Sequence, residues 1–301
     1  MKILSLGFLG AADEIRARLQ QDCRSLLQEG FRVAVDESSR GGYTFLGCNI
    51  AEGEMSFRNY ERVKSMLKNY VARMLAEHIL DKEEKTLIKK IVNRNYYYFG
   101  EQERAAICDI AVKLLDNEGY NDFGHTVRLN RILANLQAYF DIHHELVLNG
   151  FIAFRLKDYR DRLGEIVDKA VDEYMMDMEY KEFVRVLRYF VDVQETQVDE
   201  AHIVLGDGDT FKIRDARGRS IHNQYLETLM IKSDEINYED LLISALITIA
   251  PRTITLHFAS VSGKAPAVVE TIKNVFAGRV AVCRGCKLCL PEISAPETER
   301  N

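Results

Sequence analysis

The first 50 residues alternate between short apolar runs and turn-forming residues. The run Ile3–Phe8 predicts a first β-strand, and apolar residues at three- and four-residue steps over 15–26 predict an amphipathic helix behind it. Two further runs, Phe31–Val35 and Tyr43–Ile50, flank a link rich in Ser and Gly, which is the pattern of a β-hairpin. We therefore expect a small α/β unit over residues 1–55.

The middle of the chain, residues 56–196, repeats apolar side chains at helical spacing, which places one apolar stripe of each helix against a core. The clearest stripes are Val63, Leu67, Val71 and Leu75, and then Ile132, Leu136 and Phe140. Two separate helices are predicted at its end, from Leu156 to Met178 and from Tyr180 to Val193. All four prolines follow residue 250, so none breaks a helix here. The pattern predicts a helical domain.

After Gln194 the apolar period changes from that of a helix to that of a strand. His202–Leu205 and Phe211–Arg214 flank a Gly-Asp-Gly-Asp turn and predict a hairpin. The later elements are expected as a helix over 238–249, a strand over 253–258, a helix over 266–276 and a strand over 279–282. This order predicts a C-terminal α/β unit over 197–290, a small sheet covered by helices, and then a flexible tail over 291–301. The whole chain is thus predicted to be α+β and predominantly helical.

Composition narrows the class of protein. The chain has 301 residues, of which 47% are hydrophobic and 29% charged, as expected of a folded protein with a sizeable core. Its net charge of −6 argues against a dominant nucleic-acid surface. No apolar run approaches the roughly 18 residues of a membrane-spanning helix. Six cysteines, three of them tightly clustered, fit a reducing cytoplasm better than a disulfide scaffold.

The candidate chemistry lies at the end of the last predicted strand, where Cys283, Cys286 and Cys289 form a C-x2-C-x2-C pattern. Two intervening residues let a turn direct successive thiolates at one point, so these three residues are the predicted metal ligands. Zinc is preferred to an iron–sulfur cluster because no further cysteine follows, as it does in bacterial ferredoxins. A closed site needs a fourth ligand, for which the sequence leaves open Cys23, Cys48, Cys108, a histidine or another copy of the chain.

Two other interpretations of the cysteine cluster stay open at this point. Cys286 and Cys289 have the spacing of a redox dithiol, and the neighbouring Arg284 and Lys287 would lower their pKa values. Alternatively, the three cysteines are only an exposed thiol-rich end with no function of their own. These readings differ in one respect that can be measured, the amount of metal bound per chain.

A second feature is the aromatic run Tyr96–Phe99, which follows Lys89, Lys90 and Arg94. Aromatic side chains beside positive charges can stack on bases, so this segment is the candidate nucleic-acid or partner surface. The chain has no nucleophile elbow, phosphate-binding loop or dinucleotide fingerprint. The sequence therefore offers no catalytic residues, and we expect a protein that is not an enzyme.

Several segments resemble one known family in order and spacing. They are Phe151–Arg160, Val171–Tyr174, Glu179–Val184, Leu187–Val191, Leu246–Thr255 and Val268–Phe276. These segments resemble the YtxC-like family of endospore-forming Firmicutes, which is associated with sporulation. The resemblance implies a cytoplasmic protein in a sporulation context, and it brings no reaction, ligand or site.

The leading hypothesis is accordingly a cytoplasmic sporulation protein that acts through contacts with other proteins and catalyses nothing. The first alternative is a redox or regulatory protein that binds zinc or an iron–sulfur cluster through the C-terminal cysteines. The second is a nucleic-acid-binding module. The sequence identifies no protein partner and leaves a homo-oligomer open.

Overall fold

The computed structural model describes residues 2–26, 31–52, 57–116, 123–206, 210–221, 238–258 and 268–289. These residues confirm the predicted class, a predominantly helical α+β protein with two small sheets. The chain divides into two compact units, 1–176 and 177–301. The finer division at 55/56, 196/197 and 290/291 stays a prediction, and the tail predicted over 291–301 lies outside the described residues.

The first unit contains a four-stranded sheet with helices packed on it. The elements are β1 (Lys2–Leu9), α1 (Asp13–Ser25), β2 (Arg32–Arg40), β3 (Tyr43–Glu52) and, far along the chain, β4 (Glu145–Val147). The strand order is β2-β3-β1-β4, with β1 antiparallel to β3 and parallel to β4. The predicted first strand and hairpin are confirmed. Because β4 returns to this sheet, the N-terminal segment and the helical middle share one core.

The helices of the first unit bury the predicted stripes. They are α2 (Phe57–His78), a π-helical turn (Ile79–Glu83), α3 (Glu84–Asn95), α4 (Glu101–Asp116), α5 (His125–Ile142) and α6 (Leu148–Arg155). Val63, Leu67, Val71 and Leu75 of α2 are fully buried, as are Ile132 and Leu136 of α5. Burial of one such side chain contributes about 1.5–3 kcal/mol, so these stripes hold the helices on the core.

The next helix, α7, runs without a break from Lys157 to Val193, and its residues 177–193 belong to the second unit. The prediction of two helices is therefore wrong. Between Tyr174 and Val184 it buries no apolar side chain, which leaves a gap in its buried stripe although Met175, Met176 and Phe183 lie there. The backbone continues because the gap contains no proline or glycine. An ion pair between Lys181 and Asp177, 2.6 Å apart, also supports the helix there.

A buried polar cluster crosses the core of the first unit. The Arg128 side chain is 1% exposed and donates to the carbonyl oxygens of Leu115 and Phe123, both at 2.9 Å. Its Nε lies 2.9 Å from Oε1 of buried Glu84, which also accepts a hydrogen bond from the hydroxyl of Tyr159. Burial raises the pKa of Glu84, although Tyr159 and Arg128 oppose that shift.

The second unit contains the other sheet. Its elements are β5 (Val198–Leu205), β6 (Phe211–Asp215), α8 (Tyr238–Ile249), β7 (Pro251–Phe258), α9 (Val268–Val275) and β8 (Val280–Val282). The strand order is β6-β5-β7-β8, with β5 antiparallel to β6 and β7 parallel to both β5 and β8. The predicted hairpin is confirmed, as are the strands around it.

One face of this second sheet packs on helices. Ile203, Ile254 and Leu256 are buried against Leu246 of α8 and Ile272 of α9. Side chains alternate between the faces of a strand, so the intervening residues of β5 and β7 point the other way. That second face carries the polar side chains of the sheet. No helix among the described residues is long and apolar enough to cross a membrane.

Candidate metal centre

The strand register of the second sheet brings two histidines together. His202 of β5 pairs with Thr255 of β7, and Val204 pairs with His257. Thr255 and His257 lie two residues apart and thus on one face, so His202 and His257 are diagonal neighbours on the polar face. His202 Nδ1 lies 2.9 Å from His257 Nε2.

The same register delivers the first cysteine. Leu256 of β7 pairs with Val282, the last residue of β8, and the N–H of Cys283 donates to the carbonyl of Leu256 at 2.9 Å. Cys283 therefore leaves the sheet beside His257. The next turn contains Gly285, whose φ of +120° is a conformation that side chains with a Cβ rarely adopt. The chain can therefore turn sharply directly after Cys283.

A single 3₁₀ turn, Lys287–Cys289, completes the segment that we call the cysteine loop, residues 283–289. The N–H of Cys289 donates to the carbonyl of Cys286 at 3.0 Å, and this turn directs both thiols toward His257. Cys286 Sγ lies 3.3 Å and Cys289 Sγ 3.5 Å from His257 Nδ1, and the two sulfur atoms are 4.0 Å apart.

One ligand atom from each of His257, Cys283, Cys286 and Cys289 lies within 4.8 Å of the others. In the part of the chain that the structure describes, no other group of three or more His, Cys, Asp or Glu side chains converges in this way. His257 is 2% exposed, Cys283 and Cys289 are partly buried, and Cys286 is exposed. The cluster thus has a buried base and an open outer side.

The separations among the ligand atoms of Cys286, Cys289 and His257 agree with those around a single tetrahedral ion. Zinc lies about 2.3 Å from sulfur and about 2.0–2.1 Å from imidazole nitrogen, so the edges of its tetrahedron are about 3.8 Å between sulfurs and about 3.6 Å between sulfur and nitrogen. The Cys286–Cys289, Cys286–His257 and Cys289–His257 separations of 4.0, 3.3 and 3.5 Å fall close to these edges. An iron–sulfur cluster holds several metal ions between its terminal ligands and needs a wider arrangement.

Backbone N–H groups point at two of the sulfur atoms. The N–H of Leu288 lies 3.3 Å from Cys286 Sγ and lowers the pKa of that thiol. The N–H of Gly285, 3.4 Å from Cys283 Sγ, has the same effect on Cys283, but burial and the two neighbouring thiols outweigh it and the pKa is raised. Donors of this kind stabilise thiolates, the form in which cysteine binds a metal.

The imidazole of His257 is oriented by a contact with His202 at Nε2, the ring nitrogen that does not face the cysteines. Burial, followed by the proximity of His202, lowers the pKa of His257, which favours the neutral ring that a metal requires. If Nδ1 faces the sulfur atoms as the acceptor, then Nε2 carries the proton and donates to His202 Nδ1. His202 then carries its own proton on Nε2, which lies 3.4 Å from Glu200 Oε1. One tautomer of each ring thus satisfies the whole chain of contacts.

The structure brings the three predicted cysteines together and places His257 beside them. Sequence reasoning named a histidine among several candidates for the fourth ligand but did not identify which one. Of the other candidates, Cys23 and Cys48 are hydrogen-bonded to each other in the core of the first unit, where burial also raises the pKa of Cys48. The sequence signal that could have identified His257 is the alternation of apolar and polar residues along β7, which puts His257 on the polar face of the sheet.

The aromatic run shows mixed roles. Tyr97 and Tyr98 are exposed, while the hydroxyl of Tyr96 donates to Asp168 at 2.6 Å and Phe99 packs edge-on against a core tyrosine. Burial, with the Asp168 contact, raises the pKa of Tyr96. Two of the four rings are therefore occupied by structural contacts. Nucleic-acid binding by this segment stays a prediction.

The described residues thus define a mostly helical α+β protein in which sulfur and nitrogen ligands converge at the edge of the second sheet. The chain belongs to the YtxC-like family, whose pattern matches residues 69–281. It is 25% identical over 218 residues to the uncharacterized protein YtxC of Bacillus subtilis (strain 168), covering 71% of this chain and 76% of that protein. No solved structure gives a significant match. The family match includes His257 and ends two residues before Cys283.

Proposed function

We propose that this protein binds one zinc ion through His257, Cys283, Cys286 and Cys289. The observation that carries the proposal is the convergence of four ligand atoms within 4.8 Å, in a chain where these residues come from two different strand ends. The buried imidazole, the two thiols of Cys286 and Cys289 at tetrahedral spacing from it, the nearby thiol of Cys283 and the N–H groups directed at two of the sulfur atoms all support this proposal.

The role that this ligand set supports is structural. Four protein ligands leave no coordination position for water or substrate, which distinguishes structural from catalytic zinc sites. The ion would fasten the cysteine loop to β7 and β8, so that the end of the described chain is ordered by metal rather than by apolar packing. Arg284 and Lys287 are exposed on that loop and would be displayed as a fixed basic surface.

We infer from this role a protein that works through contacts with other proteins and catalyses no reaction. The resemblance to the YtxC-like family implies a setting in sporulation, and a chain with three clustered cysteines fits a reducing cytoplasm. In this account the zinc-fastened cysteine loop is part of the contact surface, and loss of zinc would disorder it.

A redox dithiol formed by Cys286 and Cys289 is the second candidate. Their sulfur atoms are 4.0 Å apart, about 2 Å more than in a disulfide. Oxidation would release two electrons and two protons to a partner disulfide or other oxidant and would remove two zinc ligands. The convergence of Cys283 on the same point favours metal binding, because a dithiol uses only two sulfur atoms.

The test is the metal content of the full-length protein, purified under reducing conditions without chelator. We expect about one zinc per chain, because the site has four protein ligands. Cys286→Ser and His257→Ala should lower that content, whereas Cys108→Ser, a change to a partly buried thiol of α4, should not. Absence of zinc and iron, with no tetrahedral thiolate spectrum when Co²⁺ is added, would contradict the proposal.

A further inference from the structure

A cavity of about 290 Å³ opens in the first unit between α3, α6 and the start of α7. Its apolar part is formed by Leu87 and Ile91 of α3 and by buried Ile152 of α6. Its rim carries three cationic side chains, Lys90, Arg94 and Arg160. The cavity has no part in the candidate metal centre.

The wall contributed by α3 follows from helical spacing. Leu87, Lys90, Ile91 and Arg94 recur at steps of three or four residues, which place them on one face of the helix. Apolar and cationic groups therefore alternate along the same wall. Lys85 and Lys89 belong to the same helix but do not line the cavity.

The side chains that line this cavity carry a net positive charge, although the chain as a whole is negative. Three positive groups and one carboxylate, Glu83, line it, in a protein whose net charge is −6. Arg160 Nη1 donates to the carbonyl oxygen of Ala153 at 2.8 Å, which fixes its guanidinium beside the cavity. Within the described ranges, no carboxylate forms an ion pair with Lys90, Arg94 or Arg160. Such an arrangement favours an anion brought from outside.

A second observation points to the same place. Glu83 ends the π-helical turn Ile79–Glu83, which interrupts the α-helical bonding between α2 and α3. Single π-helical turns are rare and occur frequently at functional sites. The turn sets the direction in which α3 leaves α2 and hence the wall that faces α6.

We propose that this cavity binds a small amphiphilic organic anion, with an acidic group at the Lys90, Arg94 and Arg160 rim and a short hydrocarbon body against Leu87, Ile91 and Ile152. The volume lies at the lower end of the range for ligand pockets, about 300–1,000 Å³, which suits a ligand of about ten non-hydrogen atoms. The amide side chain of Asn149, also in the lining, offers a further hydrogen bond.

The first experiment varies the ligand and leaves the full-length protein unchanged. Calorimetric titration should show that octanoate binds one site with a Kd of about 0.1–1 mM, as expected for so few atoms. Acetate, which has the charge without the hydrocarbon, should bind at least about tenfold more weakly, and octylamine should not bind. Binding to phosphatidylglycerol vesicles without binding of free octanoate would overturn the proposal in favour of a membrane surface.

The second experiment varies the protein and uses a matched control. Lys90→Gln/Arg94→Gln should weaken octanoate binding by about tenfold, while Lys85→Gln/Lys89→Gln, with the same change of charge on the same helix, should alter it by less than about twofold. Ala153→Phe fills the cavity but keeps all three cations, and it should abolish binding. The glutamine variants change exposed side chains only, so they remain informative if Ala153→Phe is unstable.

Equal losses in the two glutamine pairs would contradict the site, because they would show a general charge effect. The site would also be wrong if folded Ala153→Phe bound octanoate like the unchanged chain, or if octanoate gave no saturable binding at any concentration up to about ten times the expected Kd.

Discussion

Two polar clusters in this molecule solve the problem of burial in opposite ways. In the first unit, Arg128, Glu84 and Tyr159 combine a cation, a carboxylate and a hydroxyl, so the charges find partners within the chain. In the second unit, His257, Cys283, Cys286 and Cys289 bring together four electron-pair donors, and none of the four is a cation. In the first cluster the charges are balanced within the chain, whereas the second has the composition of a metal site, and under our proposal a zinc ion would supply its positive charge.

The pKa shifts express this difference. Burial raises the pKa of Glu84 even though the Tyr159 hydroxyl and Arg128 oppose that shift, so the carboxylate there depends on these two partners. Burial lowers the pKa of His257, and a backbone N–H lowers that of Cys286. Both latter shifts favour the forms that bind zinc, a neutral imidazole and a thiolate. Substitution of one member of each cluster in turn tests this difference between them.

The largest effect is expected for Arg128→Met. It leaves Glu84 buried without its cation, and breaking a buried ion pair in this way costs about 3–5 kcal/mol in the free energy of unfolding. Urea unfolding at pH 7 measures the loss. Arg73→Met, which breaks an exposed ion pair with Glu77, is the control and should cost less than about 1 kcal/mol. A loss no larger than that of the control would contradict the role given to the buried cluster.

Removal of His257 should have the next largest effect. A structural zinc site is worth about 10–16 kcal/mol in apparent binding free energy, so one of four ligands accounts for about 2.5–4 kcal/mol, a decrease in zinc affinity of about 100- to 1,000-fold. Competition with a chromophoric chelator measures the affinity of His257→Ala. His125→Ala changes a histidine of the first unit and should leave it unchanged. Similar affinities for the two variants would remove His257 from the site.

His202 should have a smaller effect because it acts through His257. Loss of such a contact typically weakens metal binding by about 10- to 100-fold. We expect this for His202→Leu, which cannot accept the proton of His257 Nε2, and partial recovery for His202→Gln, which can. The same chelator competition measures both, and the Co²⁺ spectrum reports whether the tetrahedral geometry is kept. If Leu and Gln behave alike, the hydrogen bond to His202 does not position the ligand.

The smallest effect concerns pH. Because the folded-state pKa of Glu84 is raised above its ordinary value of 4.5, protonation stabilises the fold, and this contribution is lost as pH rises from 4.5 through the folded-state pKa. In Arg128→Met a proton can partly replace the missing cation. The destabilisation by that substitution should therefore be smaller at pH 5 than at pH 7, measured by urea unfolding at both. An equal or larger loss at pH 5 would contradict the assignment.

Local patterns in the sequence predict most of this fold. The period of apolar residues identifies β1, the two hairpins and the stripes of α2 and α5, because each of those signals lies within a single element. The three-residue strand β4 escapes such reasoning, since Glu145–Val147 becomes a strand only by pairing with distant β1. The unbroken α7 also escapes it, because Met175, Met176 and Met178 are apolar but exposed, and local spacing does not show which apolar residues are buried.

The candidate site, like the fold, can be predicted from local sequence patterns only in part. The spacing of Cys283, Cys286 and Cys289 is visible along the chain, and it directs attention to metal binding without any structure. His257 lies 26 residues before Cys283 and joins it only through the register of β7 and β8. The buried cluster is equally non-local, since Glu84 meets Arg128 from 44 residues away. Contacts set by tertiary pairing leave no local signature.

X-ray absorption at the zinc edge, on the full-length protein purified with its metal, reads out the proposed ligand set itself. We expect a four-coordinate ion with three sulfur ligands at about 2.3 Å and one nitrogen ligand at about 2.0–2.1 Å. The nitrogen shell should disappear or be replaced in His257→Ala. A shell of four sulfurs, a shell of oxygen and nitrogen alone, or a protein that retains no zinc would contradict it.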